Sequence, residues 1–403
     1  MNTVPQKYHL PLIVIASACL ISVLTFGIRA GFGLFSPSIA QEYSWPLEIF
    51  SLSFAIQNIL WGAALPLAGM VADKFGSART LAAGGAIFAA GLAMMTISTT
   101  PTMMHLSAGF LVGLGMAGAS FSVLLASVSR LVAPEKRPKI MGVVTAAGSL
   151  GQFLVVPIGH YFLTTFGWKT ALLLFALMAL SIIPLAAAIR GKGTPMNAAD
   201  TQTLPQALGE AFRHSSYLWL TAGFFTCGFQ LAFVTFHLPK FLADNNVPEW
   251  VGAYALALIG LFNIAGSLVA GNLATRFSKR WMLTWIYFLR SIMIAIYLLL
   301  PITATSTLIF ASAMGLLWLS TVPPTSGLVA HMFGVRYMAS LFGFVFFSHQ
   351  LGSFAGVWLG GYLRDATGSY NSSWWIGAAL GIFAALVHLP IKEAPVPRLA
   401  KAS

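Results

Sequence analysis

The segment that decides the fold runs from Gly69 to Arg79 and reads G-M-V-A-D-K-F-G-S-A-R, a charged turn between two long apolar runs. A weaker copy, G-N-L-A-T-R-F-S-K from Gly271 to Lys279, again joins two apolar runs. A helix needs about 20 apolar residues to cross about 30 Å of hydrocarbon, and the runs beside both turns satisfy this length. Two similar turns of this kind predict a duplicated bundle of helices in a lipid bilayer.

The composition points to the same environment. Of the 403 residues, 58% are hydrophobic and 8% are charged, whereas a soluble domain has about 25% charged residues. The net charge of +12 does not indicate a nucleic-acid partner, because the basic residues fall in short connections between apolar runs. Cys19 and Cys227 lie inside apolar runs without metal-ligand spacing, so we expect no metal, cofactor or disulfide framework. The first apolar run is too long for a cleavable signal peptide.

Twelve apolar runs are long enough to span a membrane. They occupy residues 11–40, 47–72, 79–98, 104–131, 138–164, 168–189, 216–242, 250–275, 281–300, 305–331, 337–364 and 372–390. The longest connection is polar and separates the sixth run from the seventh. We therefore predict an all-α integral membrane protein with a first six-helix bundle at 1–190, a cytoplasmic linker at 191–215 and a second six-helix bundle at 216–403.

The two halves match each other at a shift of 201 residues. The segment Gly27–Phe35 aligns with Gly228–Phe236, and Ser149–Phe153 aligns with Gln350–Phe354. The first span therefore corresponds to the seventh, and the fifth to the eleventh. Parallel duplication of this type occurs in transporters that bind their substrate near the midplane between the halves.

The basic residues predict the orientation. Lys169, Lys240 and Arg364 lie in connections on one side, and every other basic residue outside the spans lies on the opposite side. Because Lys and Arg are enriched in cytoplasmic loops, we expect both termini in the cytoplasm and the chain in the cell (inner) membrane.

The turn after the second span resembles the signature of the major facilitator superfamily, G-x-x-x-D-[RK]-x-G-x-x-[RK]. Its members here are Gly69, Asp73, Lys74, Gly76 and Arg79. With twelve spans in two halves, the resemblance covers essentially the whole chain. It implies a secondary transporter that works by alternating access, and we expect a monomer.

The resemblance also implies a gate. In the family the Asp of this turn braces the cytoplasmic ends of the two halves in the outward-facing state, a role that falls to Asp73, with Arg79 and Arg130 as partners. Ser77 stands where a basic residue is common. The alternative is that the turn is a solvated topology signal without a gating role.

A second resemblance concerns the substrate. The sequence G-I-R-A-G-F-G-L-F-S-P in the first span, followed by E-Y-S-W-P, is similar to bacterial members of the monocarboxylate and oxalate/formate transporter group. It implies a small organic anion as substrate. The chain departs from these carriers in helix eight, where their D-x-x-x-R frame reads Asn263-Ile-Ala-Gly-Ser267. The Arg of helix four found in proton-driven drug exporters is also absent.

Two arginines lie well inside predicted spans, Arg29 in the first and Arg290 in the ninth. An intramembrane Arg needs a cavity or a partner and is a functional candidate by default. A guanidinium can hold a carboxylate with two hydrogen bonds, and we expect Arg29 to do so; pairing with helix-end carbonyls is the alternative. For Arg290, structural support from carbonyls or hydroxyls is as good an interpretation as substrate contact.

All ten acidic residues fall in loops or at span ends. His349 in the eleventh span and His237 in the seventh are therefore the side chains that titrate near neutral pH at membrane depth. We regard His349 as a candidate proton relay and substrate contact. The alternatives are simple packing, a proton carried with the anion, exchange or uniport.

Buried amides form a further set of candidates, since each requires a partner. They are Gln57, Asn58, Gln152, Gln230, Asn263 and Gln350. The repeat places Gln230 opposite Arg29, and we predict that these two face each other across the pathway. Asn58 and Gln152 are further candidates for substrate contact, with interhelical packing as the alternative. Pro323-Pro324 interrupts the tenth span and could form a gate hinge or a static kink.

Three classes of function remain at this point. The first is a carrier of a small organic anion, with protons as a candidate coupling partner. The second is an exporter of a hydrophobic, drug-like or cationic compound, although cations would lack a buried acid to balance them. The third is a membrane enzyme or a sensor. Because the sequence has no nucleophile–base pair, H-E-x-x-H motif or Walker loop, an enzyme is not expected.

Overall fold

The computed structural model describes residues 12–120, 123–124, 137–189, 203–274, 276–334 and 337–397. Within these residues the chain is helical and contains no strand. The α-helices of the first half are α1 Leu12–Ala30, α2 Ser36–Tyr43, α3 Leu47–Phe75, α4 Ser77–Met95, α5 Pro101–Met104, α6 Val112–Gly118, α7 Arg137–Leu180 and α8 Ile182–Ala188. A 3-10 helix at Phe32–Leu34 links α1 to α2, and a π-helix at His105–Leu111 links α5 to α6.

A short amphipathic helix, α9 Leu204–Phe212, lies within the predicted linker and precedes the helices of the second half. These helices are α10 Ser215–Asp244, α11 Glu249–Leu273, α12 Lys279–Leu299, α13 Ala304–Leu317, α14 Val322–Phe333, α15 Met338–Thr367 and α16 Asn371–His388. The first residues of the predicted linker lie outside the described part of the chain, so its predicted boundaries stay predictions.

The described helices agree with the predicted spans. Eight described segments are long and apolar enough to cross a membrane. One of them, from Ala146 to Ala187, covers most of both the fifth and the sixth predicted spans. The chain turns between these two spans at Gly167, whose φ of 78° lies in the region that glycine tolerates best. The later part of the fourth predicted span, 104–131, lies largely outside the described residues.

Glycines let the helices of each half cross at close range. A Cβ added to Gly228 on α10 would lie 1.7 Å from the carbonyl oxygen of His349 on α15, and one added to Gly352 would lie 1.9 Å from that of Phe225. The first half repeats this contact, because a Cβ on Gly27 of α1 would lie 2.6 Å from the carbonyl oxygen of Gly151 on α7. Small residues drive close packing where lipid removes the hydrophobic effect between helices.

The two halves meet along two pairs of helices, α3 with α15 and α7 with α11. In the first pair a Cβ on Gly62 would lie 2.7 Å from Cγ of Gln350. In the second pair a Cβ on Gly260 would lie 2.9 Å from Cβ of Gln152. These two seams leave the space between α1, α3, α10 and α15 as the place where a substrate could lie between the halves.

The last described residues fold back on the second half. The carboxylate of Glu393 accepts hydrogen bonds from the hydroxyl of Ser278 at 2.5 Å and the N–H of Arg280 at 2.7 Å. Burial alone would raise the pKa of Glu393. The hydrogen bonds have the larger combined effect in the opposite direction, so the pKa of Glu393 lies below its ordinary value. The carboxylate of Glu393 therefore caps the N-terminus of α12, which begins at the end of the weaker copy of the signature turn.

The glycine crossings predict a stability difference between two glycine-to-alanine changes. Gly228→Ala should lower the free energy of unfolding by about 1–3 kcal/mol, because the new methyl overpacks the contact with α15. Gly209→Ala should leave stability unchanged or slightly raised, since a Cβ there meets nothing within 4 Å and alanine favours the helix. Thermal unfolding in detergent measures both, and equal melting temperatures would contradict the crossing.

Candidate functional site

A small cavity lies between the two halves and contains Arg29. Its lining is Arg29, Phe32, Gly33, Phe54, Gln57, Asn58, Ala232, Thr235, Phe236 and Val357. The volume is about 20 Å³, which leaves room for about one water molecule. The first six residues come from the first half and the last four from the second, so the cavity spans the seam.

Arg29 lies in the last turn of α1, where a cation interacts favourably with the helix dipole. Its Nη2 donates to Oδ1 of Asn58 on α3 at 3.0 Å, and Cζ lies 4.9 Å from the centre of the Trp61 ring. Asn58 is fixed in turn, because its Nδ2 donates to the carbonyl oxygen of Phe54 at 2.8 Å. Among the described residues no carboxylate bonds to Arg29, so its other N–H groups are available to a ligand.

Aromatic rings continue from Arg29 across the seam. The ring centres of Trp61 and Phe346 are 5.7 Å apart, and Phe346 stacks on the His349 ring at 5.2 Å. Phe346 and His349 lie on α15 and Trp61 lies on α3. The structure therefore connects Arg29 in the first half with His349 in the second through two aromatic side chains.

The imidazole of His349 contacts polar groups of its own helix. Nδ1 of His349 lies 3.1 Å from Oε1 of Gln350 and 3.5 Å from Oγ of Ser353. The hydroxyl of Ser353 also faces Oε1 of Gln350 at 3.4 Å. His349, Gln350 and Ser353 therefore form one polar cluster on α15.

Two hydrogen-bond donors near this chain of rings are left over. Nε1 of Trp61 and Nε2 of Gln350 are buried without a described partner. The side chain of Gln350 is fully buried, and Trp61 is 6% exposed. Buried donors without acceptors are uncommon in native proteins and call for an explanation. Both orphans, like the available groups of Arg29, are donors.

Arg290 occupies a different environment. It is fully buried, and its Nη2 donates to the carbonyl oxygen of Leu317 at 2.5 Å and to that of Trp318. Its Nη1 faces Oε1 of Gln230 at 3.4 Å. The carbonyls belong to the break between α13 and α14, where a helix end leaves acceptors unsatisfied. The structural interpretation of Arg290 therefore agrees with the geometry, and this side chain does not line the cavity with Arg29.

The predicted Arg29–Gln230 pair is wrong. Gln230 turns into the second half, where its Nε2 donates to the carbonyl oxygen of Gly377 at 2.9 Å and its Oε1 faces Arg290. Arg29 instead donates to Asn58, and the side chain of Gln230 bonds to Gly377 and Arg290 within the second half.

The remaining amides connect helices. Nε2 of Gln152 on α7 donates to the carbonyl oxygen of Leu256 on α11 at 3.0 Å. Asn263 on α11 donates to the hydroxyl of Ser149 at 2.9 Å and accepts from the N–H of Leu319 at 3.0 Å. Gln152 therefore holds the second seam together, whereas Asn263 serves both that seam and the break after α13.

The predicted gating residues are described only in part. Arg130 lies outside the described residues, as does the side chain of Asp73, and Arg79 is exposed. Pro323 and Pro324 stand in the first turn of α14, directly after the break. This is the position where a helix tolerates proline, since no intrahelical partner is lost there. The interruption is confirmed, and its role as a hinge stays a prediction.

The cavity is closed on the side of the bundle where α3 begins, which we call the Glu48 end. The rings of Phe50 and Phe54 contact Phe236 of α10, with centres 5.5 and 5.0 Å apart. A Cβ on Gly33 would lie 2.6 Å from the carbonyl oxygen of Phe236. These aromatic contacts join the two halves on the Glu48 side of Arg29.

The opposite side, which we call the Phe75 end, lies partly outside the described residues. A Cβ on Gly69 of α3 or on Gly343 of α15 would meet no described atom within 4 Å. Among the described residues, α3 and α15 therefore approach each other closely at Gly62 but not at these two glycines.

The sequence analysis missed Trp61 and Phe346. A signal was present for Trp61, which follows Asn58 by three residues on the same face of a helix. Phe346 carried no distinctive signal among the 31 phenylalanines of the chain.

The fold and the cavity between its halves are those of a membrane transporter, and the sequence identifies the class. The chain belongs to the Major Facilitator Superfamily, whose sequence profile it matches over residues 18–356 and 255–403. Membership of this family indicates a transporter rather than an enzyme. The family resemblance and the fold class predicted from the sequence are both confirmed.

Among curated relatives, the chain is 26% identical to monocarboxylate transporter 13 of Bos taurus over 404 residues, which cover 96% of this chain and 91% of that protein. It is 24% identical to monocarboxylate transporter 11 of Mus musculus, covering 95% and 87% of the two chains. A transporter of the same superfamily from Bacillus subtilis, itself uncharacterized, is 26% identical over 85% of both chains.

Solved structures agree on the fold. A bacterial homologue of the human lysosomal transporter Spinster superposes with a TM-score of 0.78 at 12% identity, covering 98% of this chain and all of that one. The nucleoside transporter NupG superposes with a TM-score of 0.76 at 13% identity, covering 94% and 99% of the two chains.

The two arginines should differ in what they contribute to stability. Arg290→Met should lower the free energy of unfolding by about 2–4 kcal/mol, because the carbonyls of Leu317 and Trp318 lose their donor and each unsatisfied group costs about 1–3 kcal/mol. Arg29→Met removes one described hydrogen bond and should cost about 1 kcal/mol or less. Unfolding of both variants in the same detergent checks this, and an Arg290→Met protein as stable as the wild type would contradict it.

Proposed function

We propose that the protein carries a small organic anion of the monocarboxylate type across the cell (inner) membrane by alternating access, with Arg29 binding the carboxylate. The observation that carries this proposal is the position of Arg29. It lies in a cavity between the halves, and its described hydrogen bond goes to the neutral Asn58. A cation at membrane depth without an acidic partner favours an anionic ligand.

The groups around Arg29 support an anion. Trp61 and Gln350 contribute the orphan donors Nε1 and Nε2 close to the same seam. An organic anion offers acceptors only, which matches a site whose available groups are N–H donors. Gln350 lies on the second half, so an anion held by Arg29 and Gln350 would contact both halves at once. Gln230, Gln152 and Arg290, in contrast, have full structural roles, so we do not propose them as substrate contacts.

The relatives support the same class of substrate, because several of them are named monocarboxylate transporters. Asn263 and Ser267 stand where the monocarboxylate carriers have the Asp and Arg of their D-x-x-x-R frame in helix eight. The hydroxyl of Ser267 donates to Oδ1 of Asn263 at 3.0 Å, a neutral pair where the charged pair is usual. With no cation at that position, the binding of the carboxylate falls to Arg29.

Alternating access is supported by the difference between the two ends. Phe236 closes the Glu48 end against α3, whereas Gly69 and Gly343 towards the Phe75 end have no described atom close to them. With the predicted orientation, both termini are cytoplasmic and the closed Glu48 end faces away from the cytoplasm. Transport then requires the contacts at the Glu48 end to open and those at the Phe75 end to close, where Asp73, Arg79 and Arg130 are the proposed brace. Pro323 and Pro324 are the proposed hinge.

The first prediction concerns binding of the carboxylate. Arg29→Gln should lower uptake of a radiolabelled monocarboxylate by about 30-fold or more, because the loss of one partner of a buried charge-assisted contact costs at least 2 kcal/mol. Arg276→Gln is the matched control, since Arg276 is exposed and should not matter. Uptake is measured in proteoliposomes, with the melting temperature as the measure of folding. Normal uptake by a folded Arg29→Gln protein would overturn the proposal.

A second prediction concerns proton coupling. If His349 relays protons during the cycle, His349→Ala should flatten the dependence of uptake on pH. His160→Ala is the control, because the half-buried His160 lies away from the cavity. Uptake is measured over a range of about two pH units around the ordinary His pKa of about 6.5. An unchanged profile in His349→Ala would indicate that the proton travels with the anion, or that transport is exchange or uniport.

The aromatic walls favour a second candidate function, export of a hydrophobic or drug-like compound. Phe32, Phe54, Trp61 and Phe346 could all contact an apolar ligand. A thermal-shift screen separates the two functions. Organic acids should stabilise the wild type but not Arg29→Gln if the anion proposal holds. Stabilisation by apolar amines in both proteins would favour the exporter.

A further inference from the structure

We infer that Asp365 holds the Glu48 end of the transporter closed by capping the N-terminus of α3 from the opposite half. This makes Asp365 a positioning residue of the transport cycle. The inference concerns the opening of the pathway and does not depend on which substrate is carried.

The start of α3 lacks a cap from its own half. The N-cap residue is Pro46, which provides no side-chain hydrogen bond. The first N–H groups of a helix have no intrahelical partner and require an acceptor. One of them is satisfied from across the seam, because the N–H of Glu48 donates to Oδ2 of Asp365 at 2.6 Å. Asp365 lies in the last turn of α15, in the second half.

The bond lies at the tip of the contact between α3 and α15. One turn further along, a Cβ on Gly361 would lie 2.2 Å from Oγ of Ser51, and Ser51 is fully buried. Phe50, next to Ser51, contacts Phe236 of α10. Separating the halves at this end therefore breaks the Glu48–Asp365 bond together with the packing around Ser51 and Phe50.

A carboxylate suits this position for two reasons. It accepts the hydrogen bond, and its charge interacts favourably with the positive end of the helix dipole. Side-chain caps of this type contribute about 0.5–2 kcal/mol. Here the cap forms only while the two halves are together, so its contribution goes to the closed state of this end.

The neighbouring carboxylate Asp244 shows what an ordinary surface acid does at the same end. It bonds to Arg364 at 3.0 Å and to Lys240 at 2.5 Å, and all three residues lie in the second half. Opening of the seam leaves these bonds intact. Asp244 is therefore a matched control for Asp365.

Labelling of a thiol at position 51 tests the inference. In a Ser51→Cys background, opening of the Glu48 end exposes the new thiol to a soluble maleimide. The reaction rate is measured on the full chain in detergent, where the reagent reaches both ends. The native chain gives the background from Cys19 and Cys227. Asp365→Ala should raise the rate about 3- to 10-fold, and Asp365→Asn less, because an amide still accepts the hydrogen bond.

The conservative variant distinguishes a cap from a merely structural role. Asp365→Asn keeps an acceptor oxygen for the N–H of Glu48, so in the Ser51→Cys background it should be labelled more slowly than Asp365→Ala. Asp244→Asn should leave the rate unchanged. Labelling of Asp365→Ala at the rate of the Ser51→Cys protein, an equal effect of Asp244→Asn, or equal rates for Asp365→Asn and Asp365→Ala would each overturn the inference. The assay needs no substrate, so its result is independent of the anion proposal.

Discussion

Two arginines inside the bundle need hydrogen-bond acceptors, and the structure around them depends on which groups provide these. Acidic side chains do not, because the described spans carry their acidic residues at helix ends. A guanidinium at membrane depth is tolerated only with a partner, a cavity or both. Arg290 finds carbonyl oxygens at Leu317 and Trp318, which the break after α13 leaves without helical partners. Arg29 finds the amide of Asn58 and a cavity. The same residue type thus has a structural role in one half and the chemistry of a binding site in the other.

The break in the tenth span and Arg290 stabilise each other, because the break leaves carbonyl groups unpaired and Arg290 donates to them. Irregular backbone at membrane depth persists only where protein groups satisfy it. The carbonyls on one side of the break receive donors from Arg290, and the N–H of Leu319 on the other side donates to Asn263. Two polar side chains that would each be costly alone therefore complete a single network. In the protein the interrupted helix and the buried cation form one feature.

Much of the fold could be predicted from the sequence, because span length and small-residue patterns are local properties. The order of the apolar spans and the interruption at Pro323 both follow from such patterns. The site was predictable only in part. Arg29 was identifiable as a charge inside an apolar run, but the partner of Gln230 was not. Rotamer choice at Gln230 is set by Arg290, 60 residues away, and a repeat alignment carries no information on it.

The closed end of the transporter consists of two kinds of contact with different consequences. Aromatic contacts such as Phe54 with Phe236 favour closure through burial, because opening would expose these rings to the aqueous pathway. The hydrogen bond at the tip of the seam is directional instead, since the N-cap residue of α3 gives no side-chain hydrogen bond and the described acceptor for the N–H of Glu48 is Asp365. A carrier must keep its two states within a few kcal/mol of each other to cycle between them. A single helix cap donated across the seam is of the right size to bias that equilibrium without locking it.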